Sequence, residues 1–312
     1  MDCVENMFYV SNEENQRFVP WHGLGEPVEK ALTSAEAIKM AGLDWEVLSE
    51  PIYDSCGNVI NGFKRNVRSS DNTTLGVVTN KYKIVQNQDA FNFTDSLLNE
   101  GITYETAGSL KNGRTIWLLA KMPERKILDD KFEPYICFTN THDGTGAIKV
   151  ACTPIRVVCN NTLNLALKSS ARCWSTRHMG DIYSKLSEAK ITLGLANSYL
   201  DNLAVEAERL VDIKMTDVDF EHIFDSLYPI DKLNDTERKI RNINEMKENL
   251  FKCILANDLR IYNGTAWLYI NAVTDYVAHT MPARLTANYQ ENNWGKIMTG
   301  HTFVDEVFKR VA

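Results

Sequence analysis

No stretch of this chain approaches the roughly 18 consecutive apolar residues that cross a bilayer, so no membrane-spanning helix is expected. Cysteine is present but unorganised: Cys3, Cys56, Cys137, Cys152, Cys159, Cys173 and Cys253 form an odd set with no CxxC pair. Scattered thiols of this kind read as reduced, mostly small core hydrophobes, and not as a disulfide framework. Met1-Asp2-Cys3-Val4-Glu5-Asn6 lacks the basic start and apolar stretch of an export signal, so the chain is expected to stay inside the cell. The Walker-type phosphate loop, GxGxxG, HExxH and the GxSxG nucleophile elbow are all missing, which removes support from the enzyme classes that depend on them. Acidic residues are missing from one segment: between Gly144 and Gly180 there is no Asp or Glu, but there are five Lys or Arg.

What is present is ordinary for a globular protein. The 312 residues are 44% hydrophobic and 24% charged, enough for one large or two modest domains that fold without cofactor or disulfide. The net charge of −7 counts against coating nucleic acid with the whole surface. Distribution matters more than the sum, because one positive face suffices to meet phosphate.

The pattern predicts an α+β fold, mostly antiparallel sheet with hairpins in the N-terminal and central part, followed by a helical C-terminal region. Residues 1–20 are polar and irregular and read as an arm, 21–180 as an α+β sheet domain, and 181–312 as a helical region packed on it. Thr33-Ser34-Ala35-Glu36 is a capping box for a short helix that Gly42 closes. Strands are expected at Val59-Ile60, Phe63 to Val67, Leu75 to Val78 and Tyr82 to Val85. Asn87 is placed to cap a helix reaching Gly101. Asn112-Gly113 between Tyr104–Leu110 and Thr115–Lys121 signals a type I′ hairpin.

A second hairpin is expected from Tyr135–Thr139 through His142-Asp143-Gly144 into Ala147–Val158, with Pro154 marking an edge or bulge. Asn160-Asn161 offer caps for a helix carrying Leu163, Ala166 and Leu167. From Ile182 to Leu210 the apolar positions alternate steps of four and three, a heptad-type seam that predicts one long helix packed on a partner. Further helices are expected over 235–256 and 265–279, the latter with Ala266, Ile270, Val273 and Val277 as its apolar stripe.

Several strings in order carry a resemblance: Trp21-His22-Gly23-Leu24-Gly25, Ala41-Gly42-Leu43-Asp44-Trp45, Tyr82-Lys83-Ile84-Val85-Gln86-Asn87, Thr106-Ala107-Gly108-Ser109-Leu110 and Thr139-Asn140-Thr141-His142-Asp143-Gly144. Thr153-Pro154-Ile155-Arg156-Val157-Val158-Cys159-Asn160-Asn161-Thr162-Leu163-Asn164 is the clearest, followed by Gly264-Thr265-Ala266-Trp267 and Asn271-Ala272-Val273-Thr274. Over roughly residues 18–280 the chain resembles the phage/plasmid-like family called domain of unknown function 932. The resemblance implies a home on phages, prophages and plasmids, hence the cytoplasm of a bacterial host. It carries over no catalytic residue.

The acid-free segment is the first candidate for chemistry. Lys149, Arg156, Lys168, Arg172 and Arg177, interleaved with Trp174, supply the cations and the stacking platform that sequence-tolerant binding of single strands needs. A solvated face that happens to lack acid explains the same pattern. A sheet followed by a basic helix is also similar to single-strand annealing proteins in outline, although fold does not fix function. His142 and Asp143 in a hairpin loop are a second candidate, with a self-bonded turn as the simpler account. Asn271, Asp275 and His279 share one helix face, favouring a solvated surface over an acid–base pair. Cys152, Cys159, Cys173 and His178 have spacings that fit no zinc knuckle.

The sequence therefore points first to a non-enzymatic accessory protein of a mobile element that binds or anneals single-stranded DNA in replication or recombination. No cofactor or metal is expected. A protein-interaction factor acting against host defence or on replication is the alternative, and self-association through the Ile182–Leu210 helix is a further possibility. A metal-dependent nuclease using His142 and Asp143, or Asp275 and His279, comes third.

Overall fold

The structure is a computed structural model that describes residues 8–10, 26–28, 33–98, 101–156, 161, 162, 165, 167, 172–181, 190–279, 292, 295, 296, 298 and 300–311. Two sheets, antiparallel except where Phe8–Val10 pairs in parallel with Glu26–Val28, and a set of helices make an α+β protein. The large sheet runs β11-β10-β9-β7-β6-β1-β2. Its strands are β1 (Phe8–Val10), β2 (Glu26–Val28), β6 (Thr103–Leu110), β7 (Thr115–Lys121), β9 (Asp130–Thr141), β10 (Ile148–Arg156) and β11 (Asn161–Thr162), with β8 (Arg125–Ile127) on β9 and β12 (Cys173–Thr176) on β10. The small sheet orders β3 (Val47–Tyr53), β4 (Val59–Arg68) and β5 (Thr74–Thr79).

Local chemistry accounts for the elements that the sequence announces. Thr33 accepts from the Glu36 amide at 3.3 Å while Glu36 accepts from the Thr33 amide at 2.9 Å, so α1 (Ser34–Met40) opens on the expected capping box. Asn112 and Gly113 take φ of +63° and +79°, the double left-handed geometry that a type I′ turn requires between β6 and β7. Pro154 lies on β10 between the stretch paired with β12, which ends at Ala151, and the stretch paired with β11, which begins at Ile155. A residue without an N–H is tolerated where that side of the ladder is open.

Four expectations about strands and caps change. Phe8–Val10 form a strand inside the predicted irregular arm, paired with β6 and β2. Tyr82–Val85 joins no ladder, because its backbone groups bond elsewhere: Lys83 N donates to His178 O at 2.8 Å, and Val85 O accepts from Asn140 Nδ2 at 3.0 Å. Asn161 caps no helix; Asn161 and Thr162 pair with Arg156 and Ile155 on the open edge of β10. Residues 163, 164 and 166 lie outside the described ones, and 165 and 167 are not helical. Asn87 begins α2 (Asn87–Leu98), yet its side chain reaches back to the carbonyls of Leu43 and Trp45 at 2.9 and 3.3 Å.

The remaining helices are α3 (Lys190–Asp212), α4 (Asp217–Leu227), α5 (Glu237–Ile254), α6 (Ala266–His279) and α7 (Thr302–Val311), with a 3₁₀ turn at Asn257–Tyr262. One face of the large sheet, including Ile148, Val150 and Cys152, joins these helices in a single core. Trp117, Leu119, Tyr135, Cys137, Ala151 and Ile155 form a second cluster with Met298, and strand alternation puts Ala151 and Ile155 on the opposite face.

In the seam helix, Ala196, Leu200, Leu203, Ala207 and Leu210 are buried in the chain's own core. These positions are therefore not free to hold a second copy; residues 182–189 lie outside the described ones. Helix α6 is not a surface helix with one apolar stripe, since every residue from Ala266 to Thr274 is buried. Asn271 is part of that interior, donating to Trp267 O at 2.9 Å, and not of a solvated face. Among the described residues no helix is long and apolar enough to cross a membrane.

Candidate nucleic-acid interface

A cleft of about 770 Å³ opens where the small sheet meets the large one. Three segments build it: β5 with Phe63 of β4, the turn from Asp143 to Ala147, and the chain leaving β12 at Arg177 and His178. Close packing holds the turn in place. A Cβ on Gly76 would stand 2.5 Å from Asp143 Cα, and one on Gly144, whose φ is +78°, would stand 2.9 Å from Val78 Cγ1. Asn66 Nδ2 donates to His142 O at 2.7 Å, tying β4 to the base of the same turn. Gln86 fastens the other end, accepting from Val47 N at 2.8 Å and donating to Val47 O at 3.1 Å.

The ladder between β10 and β12 brings two cations of the acid-free segment together. Lys149 faces Ser175, two residues before Arg177, so alternation sets both basic side chains on one face, and both line the cleft. Neither side chain has an ion-pair or hydrogen-bond partner among the described residues. Nearby, burial and then the charge of Lys83 hold Lys64 below the usual lysine range. Like charges left close together without ion-pair partners are a standing attraction for an anion. The apolar wall is Phe63, Val77 and Met179, all exposed.

The floor is aromatic. His178 stacks on Tyr82 with ring centroids 4.4 Å apart, and its Nδ1 meets Lys83 O at 2.9 Å. A carbonyl can only accept, so Nδ1 carries the proton. Burial lowers the His178 pKa, offset in part by that carbonyl and by the charge of Asp143. Burial also raises the Tyr82 phenol, and Asp143 adds to the shift.

Other sequence candidates separate from this site. Arg172 donates to Cys152 O at 2.8 Å and to Met298 O at 2.7 Å, so its guanidinium joins β10 to the C-terminal segment and does not wait for phosphate. Trp174 is half-buried against the helical core, on the face away from Lys149. The backbone of Arg156 pairs with Phe132, while its side chain, like all of Lys168, lies outside the described residues.

His142 and Asp143 do not make a dyad. Asn87 Nδ2 donates to two carbonyls, which fixes Asn87 Oδ1 as the acceptor that His142 Nε2–H reaches at 3.0 Å. His142 is fully buried beneath the turn, and burial, with the charge of His178 second, lowers its pKa to about 3. Asp143 points the other way, into the cleft. On α6, Asp275 and His279 approach to 3.5 Å with His279 half-exposed. Among the described residues no group of three His, Cys, Asp or Glu is placed to hold a metal. Of the thiols drawn as a zinc set, Cys152 is buried and Cys173 exposed, and Cys159 lies outside the described residues.

A family model matches residues 74–294, which is most of the chain. The chain belongs to the family described as Domain of unknown function (DUF932). The DUF932 match contains β5, Tyr82, the Asp143 turn, Lys149, Arg177 and His178, while Phe63 and Lys64 precede it. No curated protein and no solved structure matches the chain.

Sequence reasoning missed Phe63, Lys64, Lys83 and the Tyr82–His178 stack as site residues. Tyr82 and Lys83 belong to one of the strings that carry the family resemblance, which was the available signal. Nothing in the sequence distinguishes Phe63 from an ordinary strand residue.

Proposed function

We propose that this DUF932 chain binds single-stranded nucleic acid along the cleft, as an accessory protein of a phage, prophage or plasmid acting in replication or recombination. The observation that carries the reading is the pair Lys149 and Arg177, whose side chains are unpaired among the described residues and which line one cleft with the exposed Phe63. Phosphates meet the two cations while a base stacks on the ring, the combination used where strands are held without reading sequence. Lys64, paired with Val78 of the cleft wall, and Lys83, whose amide donates to His178 O, add positive charge beside it.

Fluorescence anisotropy of labelled single strands over a salt series tests this. For single strands, log K falls with log salt by about 0.7 per phosphate neutralised, so replacing Lys149 and Arg177 by Ala flattens the slope by roughly 1.4. Phe63→Ala weakens binding by about 1–3 kcal/mol through lost stacking. No binding at low salt ends the proposal.

One observation favours a second reading. The hairpin of β3 and β4 exposes Tyr53, Val59 and Ile60 near its tip, the kind of apolar surface that suits a protein partner. A stoichiometric protein recovered from host lysate after nuclease treatment supports that role, and its loss with nuclease counts against it.

A further inference from the structure

Phosphate binding makes no use of one feature of the cleft: a carboxylate, Asp143, stands among its cations. Its position is closely fixed. The backbone is held against Gly76, and Oδ1 accepts from the amide and hydroxyl of Thr145 at 2.9 and 2.7 Å. Oδ2 has no partner among the described residues. The cleft therefore offers an acceptor held in place by its own turn, on a surface where Lys149 and Arg177 would meet the anionic part of a ligand.

A ligand that fits both halves carries a phosphate at one end and a hydrogen-bond donor at the other. Among nucleobases the exocyclic amino groups of cytosine, adenine and guanine are such donors, and a carboxylate accepting from the cytosine N4 amino group is an established pairing. Uracil and thymine lack that amino group: the donor left to them is N3–H, flanked by two carbonyl oxygens that a carboxylate repels, so the contact is weaker. We propose that Asp143 makes the cleft base-selective, favouring amino-bearing bases over uracil and thymine. This deepens the strand-binding function proposed above and rests on it.

The test compares short oligo(dC) and oligo(dU), which differ at ring position 4 by an amino group against an oxygen, with the wild-type chain and Asp143→Asn. Asparagine keeps the Oδ1 acceptor for Thr145 and presents an amide donor where Oδ2 stood. Wild type is expected to bind oligo(dC) about tenfold tighter than oligo(dU), within the range a single base contact supplies. Asp143→Asn is expected to lose or reverse that preference, and to bind both strands more tightly at low salt because a negative charge beside the phosphates is gone. Equal wild-type affinities, or a preference that survives Asp143→Asn, overturn the base-selective role and leave strand binding standing. No wild-type binding to either strand overturns both.

Discussion

His142 illustrates how a residue that looks reactive in sequence becomes structural once its surroundings close. In the unfolded chain it titrates near 6.5, whereas in the fold burial holds its pKa at about 3. Between those values the unfolded chain binds a proton that the native chain does not, so stability is complete above pH 6.5 and is lost as pH falls. Urea midpoints measured from pH 7 to 4.5 should decline, with His142 supplying on the order of 3 kcal/mol by linkage. A flat profile contradicts the buried, neutral assignment. At this scale the sequence yielded charge but not pairing. Lys149 and Arg177 were legible as members of an acid-free segment, and both line the cleft. Arg172 belonged to the same segment, yet its partner Met298 lies 126 residues away, a contact no local pattern signals.

Among the elements, the antiparallel ladder and the turn at Asp143 determine whether the cleft exists. Gly76→Ala pushes a methyl group into the Asp143 backbone, with no flexible side chain available to yield. The expected cost is about 2 kcal/mol, typical of overpacking, read as a lower thermal midpoint together with weaker strand binding. Removing the cap of α1 is expected to act on stability alone: Thr33→Ala should cost about 1 kcal/mol and leave binding unchanged. Elements with local signals were legible. The capping box and the Asn112-Gly113 turn are examples, since each is decided within four residues. Tyr82–Val85 was not, because its hydrogen bonds go to His178 and Asn140, and the Asn161 strand forms only because β10 leaves an edge open beside Pro154.

For the whole molecule, the layer of helices closes over one face of the large sheet, and the seam of α3 belongs to that closure. Leu203 is fully buried in the shared core. Leu203→Ala should therefore destabilise the fold by about 3 kcal/mol, as core truncations do, without changing the sedimenting mass of the protein. A mass that falls with this substitution instead places the seam between copies. The periodicity was readable in the sequence, but a heptad pattern does not state whose core it fills, and α6, buried through Thr274, was mistaken for a surface helix for the same reason. The central claim concerns the surface that this architecture leaves positive in an acidic chain. Single-strand binding followed over a salt series, wild type against the Lys149→Ala/Arg177→Ala chain, tests it most directly. The account predicts binding at low salt with a slope that drops by roughly 1.4 in the double variant; an unchanged slope, or no binding by the wild type, contradicts it.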